Sequence, residues 1–308
     1  MDRVRKRIGL EDIKDYKCIG KPTTVAVLDS GMAPHPDLQG KCICFKDFVN
    51  HKNIVYDDNG HGTHVCGILC GSGEASQGKY RGVAPSVRLV VCKVLDKKGD
   101  GCAEIMIEAL NWLKDNYRRY DIRIVNISVG VGKMHDKEKS LLLNLTLEEL
   151  WEEGIVIVCA AGNKGPKPGS ISNIGGLKKV ITVGCYDDLQ EIYPGNNCDK
   201  YSGRGPKSDD FRKPDLVAPG TGIVSCNHLF QKYGAGKATY EQLYIAKNGT
   251  SMATPMVSGA AALLLQKEPW LSNEKVSQRI KMSAEDLGEA WNRQGWGILN
   301  VKNILEIP

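Results

Sequence analysis

Short apolar runs alternate with longer amphipathic or apolar segments along most of the chain. The strand candidates, rich in Val and Ile, are residues 23–29, 87–95, 122–128, 155–160, 180–185 and 244–247. The helix candidates are residues 61–70, 103–118, 138–153, 251–267 and 273–282. Glycine and proline clusters separate them, and no internal repeat is present. This alternation predicts an α/β fold, with a doubly wound, mostly parallel sheet between two layers of helices.

The first strand candidate ends in an acidic residue. Residues 25–29 read Val-Ala-Val-Leu-Asp and lead into the turn at Ser30 and Gly31. Asp29 is therefore expected at the carboxyl end of a buried strand, the edge of an open α/β sheet where ligands and chemistry collect. A strand-ending aspartate also suits a purely structural role, capping the turn that follows it.

A polar, glycine-rich turn at residues 57–60 leads into a helix candidate that carries His61 and His64. Because the two histidines are three residues apart, they share roughly one helix face. A single histidine here would suit a structural role, or metal binding with the neighbouring Cys66. The segment by itself leaves these readings open.

Residues 249–253 (GTSMA) place Ser251 where a glycine turn meets the start of a helix. Backbone N–H groups are unpaired there, and the helix dipole favours negative charge. A nucleophile whose reaction generates an oxyanion needs such surroundings. A serine at a helix start is more often a simple N-cap, but the order Asp29, His61, Ser251 favours the catalytic interpretation.

Four motifs together resemble the subtilisin-like serine proteases. They are VLDSG at 27–31, HGTH at 61–64, AAGN at 160–163 and GTSMA at 249–253. Residues 83–85 (VAP) and 214–220 (PDLVAPG) also resemble family signatures, and the resemblance extends from about residue 23 to the end of the chain. The order Asp, His, Ser is the known subtilisin order.

The resemblance implies a role for each matching residue. Asp29 would orient the imidazole of His61, which would act as the general base toward the nucleophile Ser251. Asn163 would donate its side-chain amide to the oxyanion. His64 would be structural, on the helix behind the site.

These roles predict a serine endopeptidase that forms an acyl-enzyme on Ser251. Two alternatives stay open: a catalytically latent binding or regulatory module, and a peptide ligase or cyclase on the same scaffold. An esterase of the α/β-hydrolase type is disfavoured, because Ala253 stands where the GxSxG motif needs glycine and because His61 precedes the serine.

The resemblance also implies a substrate-binding surface. One wall of the specificity pocket would be Ser128, Val129 and Gly130, the other wall Ala160, Ala161 and Gly162, and the segment pairing with an extended substrate Gly99, Asp100 and Gly101. The walls are small, and Ser172 near the pocket floor is uncharged, so we expect broad or apolar-leaning specificity. Asp57 and Asp58 could favour a basic residue at the next subsite, but solvated loop carboxylates are the preferred interpretation.

Composition agrees with a globular enzyme that binds polypeptides. The chain has 308 residues, 42% of them hydrophobic, and a formal net charge of +5. The basic cluster at residues 1–7 is interpreted as a solvated tail, since no aromatic interleaving or nucleic-acid motif accompanies it. No apolar stretch approaches the roughly 18 to 20 residues that span a bilayer. We expect a short extension at residues 1–20 and one catalytic domain at 21–308, and the oligomeric state is left open.

Eleven cysteines are present, and five lie in apolar segments: Cys66, Cys70, Cys92, Cys159 and Cys185. Because the first residues lack a signal-peptide apolar region, we expect free buried thiols and a cytoplasmic location. The spacings 42-x-44 and 66-x-x-x-70 do not fit a zinc site, so no metal ligands are predicted.

The chain departs from secreted subtilisins in two places. Only about twenty residues precede the first strand, where secreted members carry a long folding prodomain. Residues 71–80 lack the asparagine-rich loop that binds calcium tightly in those relatives. We therefore expect no required cofactor and no tight calcium loop, with a weaker calcium site elsewhere left open.

Overall fold

The computed structural model of the chain describes residues 1–13, 17–130, 136–187, 197–206, 212–233 and 239–306. Within these residues, strands β1 to β9 are Thr24–Asp29, Cys42–Asp47, Arg88–Lys93, Ile122–Ile127, Val156–Ala160, Ile181–Tyr186, Leu216–Pro219, Ile223–Cys226 and Tyr244–Lys247. Helices α1 to α9 are Asp2–Arg7, His61–Cys70, Ala103–Tyr120, Lys137–Glu152, Tyr240–Leu243, Thr250–Lys267, Asn273–Met282, Trp291–Gln294 and Val301–Glu306.

Seven strands form one parallel sheet with the order β2-β3-β1-β4-β5-β6-β7. Strand β1 lies inside the sheet; the chain reaches one edge through β3 and β2, and the other through β4 to β7. Strands β8 and β9 form a separate antiparallel ribbon. In a doubly wound sheet the strand order reverses beside the first strand, and the crevice at the carboxyl ends there is the usual binding site. Asp29, the last residue of β1, lies at that crevice.

Side chains of the sheet alternate between two hydrophobic clusters. Val25 and Val27 of β1 pack in the cluster that includes residues of α2 and α6, whereas Ala26 and Leu28 pack in the cluster that includes residues of α3 and α4. This is the period-two alternation of a strand that is buried on both faces. The predicted three-layer, doubly wound α/β fold is confirmed.

Helix α6 is buried from Thr250 to Leu265 and contacts α2 and strands β4 to β7. Its sequence is apolar all round and rich in Ala and Gly, which is typical of a helix enclosed by protein on every side. Among the described residues, no helix is both long enough and apolar enough to cross a membrane.

Three strands were missing from the sequence-based prediction: β2, β7 and β8. Strand β2 lies at an edge of the sheet, where its residues except Asp47 are half-buried or exposed, and its apolar run is only the four residues 42–45. Strands β7 and β8 have only four residues each. Short strands of this kind give a weak periodic signal.

The interpretation of residues 1–7 as a solvated tail is wrong. Helix α1 buries Val4, and Ile8 follows it into the same core cluster as α2 and α6. Its arginines donate to backbone carbonyls of distant segments, Arg3 to Thr221 O at 2.8 Å and Arg5 to Gly82 O at 2.7 Å. The helix is therefore anchored by two apolar side chains in the core and by two arginine hydrogen bonds to distant carbonyl groups.

The cysteine prediction needs one correction. Cys185 is not a free thiol, because it forms a disulfide with Cys198. The two cysteines are 13 residues apart in sequence, but their Cα atoms lie 5.5 Å apart, a proximity that spacing alone did not indicate. The other four cysteines predicted to be buried, Cys66, Cys70, Cys92 and Cys159, are buried free thiols, and burial raises the pKa of Cys70 and of Cys159 to about 12.

Candidate active site

The carboxylate of Asp29 and the imidazole of His61 are in direct contact. His61 Nδ1 lies 2.8 Å from Asp29 Oδ1 and 3.0 Å from Oδ2. The contact depends on Gly62, whose absent side chain lets α2 start against the loop after β1: a Cβ there would lie 2.1 Å from Gly31 O. The N–H of Gly62 also donates to Ser30 Oγ at 2.9 Å. Since Nδ1 faces the carboxylate, it carries the proton and leaves Nε2 as the acceptor.

The surroundings of His61 set its protonation. Burial alone lowers the pKa of His61, but the charge of Asp29 and the hydrogen bond to it outweigh burial, so the pKa is raised overall. The positive charge of Lys247, whose Nζ donates to Gly60 O at 3.1 Å, acts in the opposite direction. The side chain of His61 is 24% exposed and that of Asp29 is fully buried.

Asp57 organises the start of α2. Its carboxylate accepts hydrogen bonds from Ser30 Oγ, from the N–H groups of Asn59, Gly60 and Thr63, and from Thr63 Oγ1. Burial raises the pKa of Asp57, but these hydrogen bonds, led by that of the Thr63 hydroxyl, lower it overall. The interpretation of this residue as a solvated loop carboxylate is therefore wrong.

Its neighbour Asp58 has a different partner. The ammonium group of the fully buried Lys93, at the end of β3, lies 2.7 Å from Asp58 Oδ1 and donates to Ser30 O and Leu95 O. Asp58 is exposed, as the solvated interpretation expects, but its carboxylate is also paired with this buried ammonium group. This buried lysine joins the loop after β1 to the segment after β3.

Among the described residues, the hydrogen bonds of His64 go to neither Asp29 nor His61. His64 Nε2 lies 2.9 Å from Ile223 O and 3.0 Å from Ile245 O, so it links α2 to both strands of the β8–β9 ribbon. Burial is the largest cause that lowers the pKa of His64, to about 3. The residue is therefore neutral near neutral pH, and its position agrees with the structural interpretation.

Ser251 is the second residue of α6 and is 8% exposed. Gly249 precedes the helix with φ 141°, a backbone conformation that favours glycine, and its N–H donates to Gly220 O at 2.9 Å. The N–H of Ser251 belongs to the first helical turn, where such groups lack an intrahelical acceptor. A backbone donor and the positive end of the helix dipole thus lie beside the hydroxyl.

Asn163 is held by Thr250. Its Oδ1 accepts from Thr250 N at 3.1 Å and from Thr250 Oγ1 at 3.0 Å, and that hydroxyl in turn accepts from Gly162 N at 3.2 Å. With Oδ1 occupied, the Nδ2 group is directed away from these contacts and is available as a donor. Thr250 thus fixes the amide next to Ser251.

Two cavities adjoin Ser251. The first, here the Ala160 cavity, has a volume of about 300 Å³ and is lined by Ser128, Gly130, Ala160, Gly162, Asn163, Lys164, Gly169, Ser170, Ile171, Ser172, Asn173, Thr250 and Ser251. The second, the Leu95 cavity, has about 310 Å³ and is lined by Asn59, His61, Leu95, Lys98, Gly99, Ser128, Val129, Gly130 and Ser251. His61 and Ser251 therefore share one cavity, and Asn163 and Ser251 share the other.

Most of the predicted pocket residues line these cavities, but three do not. Ala161 is buried behind the wall, where its carbonyl accepts from Ser172 N at 2.8 Å. Asp100 and Gly101 line neither cavity. The N–H of Asp96 donates to Asp100 O at 2.9 Å, which closes residues 96–100 into a turn. Of the three residues predicted to pair with the substrate, only Gly99 lines a cavity.

Comparison with known proteins identifies the family to which the chain belongs. The model of the family described as "Subtilase family", Peptidase_S8, matches residues 20–297. This match covers most of the chain. The chain belongs to the subtilase family.

Relatives of this subtilase are proteases. It is 41% identical over 293 residues to Serine protease AprX of Bacillus subtilis (strain 168), a match that covers 92% of this chain and 66% of that protein. It is 33% identical over 284 residues to Subtilisin Savinase of Lederbergia lenta, covering 92% and 90%. The predicted family and its serine-protease class are confirmed. The chain spans just under two thirds of the length of AprX.

Solved structures agree. The S41 Psychrophilic Protease is 30% identical with a TM-score of 0.77, and 92% of each chain is covered. Sphericase is 29% identical with a TM-score of 0.76, covering 91% of this subtilase and 92% of that chain. Both have the subtilisin-like architecture that the sheet order shows.

One cluster in the described part of this subtilase brings potential metal ligands together. Atoms of His35, Asp37 and Cys226 lie within 4.8 Å of one another. Both His35 nitrogens are engaged, with Leu243 O at 2.8 Å and Asp37 N at 3.1 Å. The Asp37 carboxylate accepts from Tyr244 OH at 2.6 Å and from two donors of the 72–75 loop. With these groups occupied by protein partners, the cluster does not fit a metal site.

Several residues of the site were not predicted from the sequence. Thr250, Lys93 and Lys247 orient or influence the predicted catalytic groups, and Lys164 and Lys98 line the two cavities. Two of them had a positional signal, because Thr250 precedes Ser251 and Lys164 follows Asn163 directly. Lys93 had none, since its role depends on β3 pairing with β1.

Proposed function

We propose that this subtilase is a serine endopeptidase in which Asp29, His61 and Ser251 form the catalytic triad. The observation that carries the proposal is the contact of His61 Nδ1 with Asp29, together with the cavity that His61 and Ser251 both line. The first fixes the tautomer with Nε2 as the acceptor, and the second gives the imidazole and the hydroxyl a common substrate-accessible space.

The reaction follows from these positions. Ser251 Oγ attacks the scissile carbonyl carbon while its proton passes to His61 Nε2, and Asp29 stabilises the resulting imidazolium. Asn163 Nδ2 and the N–H of Ser251 donate to the oxyanion. His61 then protonates the leaving amine as the C–N bond breaks. A water molecule, activated in the same way, hydrolyses the ester on Ser251 and releases the acid product.

Polypeptides are the substrates of this reaction, and we propose that it needs no cofactor. The open Ala160 and Leu95 cavities suit an extended peptide, with small residues such as Ala160 and Gly162 leaving room for large side chains. No feature of the described residues favours the latent module or the ligase over the hydrolase.

A fluorophosphonate probe tests the proposal, because it reacts only with an activated serine. We expect the wild-type protein to gain one probe by intact mass and Ser251→Ala to gain none. Ser258→Ala is the matched control: this fully buried serine lies farther along the same helix, with its Oγ bonded to Asn126 Oδ1 at 2.8 Å, so labelling should persist.

Product masses after incubation with a peptide separate the remaining functions. Hydrolysis gives two fragments whose masses sum to the peptide plus one water, whereas joined peptides would indicate a ligase. Absence of both labelling and cleavage in folded wild-type protein would contradict the proposed activity.

A further inference from the structure

The Ala160 cavity contains an unbalanced positive charge. Among the described residues that line it, Lys164 is the one charged side chain. Lys164 is exposed, and it makes no ion pair with any described residue. It directly follows Asn163 in sequence and lines the same cavity as Asn163 and Ser251.

The rest of the lining offers no competing charge. The Ser172 hydroxyl donates to Ala160 O at 2.9 Å, so its proton is already engaged. The small residues Ser128, Gly130 and Gly162 supply width without charge. A carboxylate entering this cavity would therefore find one counter-charge and no repelling carboxylate among the described lining residues.

The Leu95 cavity also carries a positive charge, but this charge is partly offset by a neighbouring carboxylate. Lys98 lines this cavity, and apart from His61 no other titratable side chain does so among the described residues. The backbone N–H of Lys98 donates to Asp96 Oδ1 at 2.8 Å, which keeps a carboxylate close by and offsets part of the charge. The stronger attraction is therefore at Lys164.

We propose that the site prefers substrates with an acidic side chain immediately before the scissile bond, with Lys164 as the counter-charge. The inference rests on the proposed endopeptidase function, because the Ala160 cavity lies between Ser251 and Asn163, where that side chain enters. Small uncharged walls still admit neutral residues, so the preference is a ratio of rates. An ion pair at an exposed position of this kind changes affinity by only a few-fold.

Matched peptides measure the preference. Three peptides differ only at the residue before the scissile bond, which is Glu, Gln or Lys; Glu and Gln have the same size and shape. At low salt we expect kcat/KM for Glu to exceed that for Gln by about fivefold, with Lys the poorest. In 1 M salt the Debye length falls to about 3 Å, so the Glu to Gln ratio should approach one.

Charge variants assign the effect to one residue. Lys164→Met should remove the Glu preference and Lys164→Glu should reverse it, while cleavage of the Gln peptide shows that each variant is folded. Lys275→Glu is the matched control: this exposed lysine of α7 follows Asn273, whose Nδ2 donates to Trp151 O, next to the amino-terminal end of β5. It therefore lies near the amino-terminal ends of the parallel strands, opposite the active site, and the Glu to Gln ratio should not change.

The outcomes separate this inference from the proposed function. If the wild-type protein cleaves the Gln peptide but Lys164→Glu leaves the Glu to Gln ratio unchanged, the role of Lys164 is wrong and the endopeptidase function stands. If wild-type protein that is folded cleaves none of the three peptides, the proposed function itself is contradicted.

Discussion

The two sides of the active site are built differently. On the His61 side, Asp29 is fully buried, Asp57 accepts five hydrogen bonds, and Lys93 joins the surrounding loops. On the Asn163 side, the amide and the neighbouring Lys164 are exposed, and the contacts that fix the amide come from Thr250.

The difference separates two tasks. Proton transfer needs one fixed geometry, and a buried, fully hydrogen-bonded network provides it at the cost of tolerance to change. Oxyanion binding and side-chain selection take place at an exposed surface, where charges can vary without loss of the fold. We therefore expect changes on the His61 side to affect stability and rate together, and changes on the Asn163 side to affect rate or specificity more than stability.

The largest expected effect is that of Asp29→Asn. The amide would favour the wrong tautomer of His61 and would not stabilise the imidazolium, so kcat should fall by about ten-thousandfold, the loss seen for the equivalent change in another serine protease. Burst and steady-state kinetics on an ester substrate would measure it. A loss below about tenfold would show that this carboxylate does not orient the base.

Asn163→Ala should lower kcat by about a hundred- to a thousandfold, the loss measured when one oxyanion donor is removed from a subtilisin. Loss of Oδ1 also leaves Thr250 N and Oγ1 without this acceptor, so the free energy of unfolding should fall by about 1 kcal/mol, less than for Asp57→Asn. Unfolding in denaturant, measured in the Ser251→Ala background to prevent self-cleavage, is the test. A large loss of stability would contradict the contrast between the two sides.

Asp57→Asn should lower the free energy of unfolding by a larger amount, about 2 kcal/mol. The new NH₂ group would face the N–H of Thr63, which would lose its acceptor inside the protein. The same denaturant experiment measures this change. Glu108→Gln, at an exposed carboxylate of α3, is the comparison and should change the free energy of unfolding by less than about 0.5 kcal/mol; an equal loss in both variants would contradict the capping role of Asp57.

The smallest effect concerns pH. Burial is the largest influence that lowers the pKa of His61, and the charge of Lys247 lowers it further. Lys247→Met removes that repulsion of the imidazolium, so the pKa of His61 should rise. Because the base must be neutral to accept a proton, the acid limb of kcat/KM should move to higher pH. Lys275→Met, near the amino-terminal ends of the parallel strands, should leave the acid limb in place. An unmoved acid limb in Lys247→Met would contradict the electrostatic effect of Lys247 on His61.

Much of the His61 side could be predicted from the sequence. The order of Asp29, His61 and Ser251 is fixed by motifs in which glycines set the backbone, and the bounds of α2 and α7 agree with the predicted 61–70 and 273–282. These features depend on local chemistry or strong periodicity.

What the sequence could not show depends on contacts between distant segments. The charge of Lys164 matters only because the chain from Asn163 to Ser172 returns along β5, where Ser172 N bonds to Ala161 O. Strand β2 became identifiable only through its pairing with β3. The Cys185–Cys198 disulfide likewise required the fold to bring the two residues together.

Helix α6 carries the nucleophile at its first turn and is enclosed by the rest of the protein over most of its length. Partial openings therefore cannot release it, and the amide hydrogens of Met256 to Leu265 should exchange with solvent only when the whole molecule unfolds. Heat should accordingly leave α6 folded until the last protected amides disappear, so any activity lost at a lower temperature would come from melting of the exposed Asn163 side and not of the helix that carries Ser251.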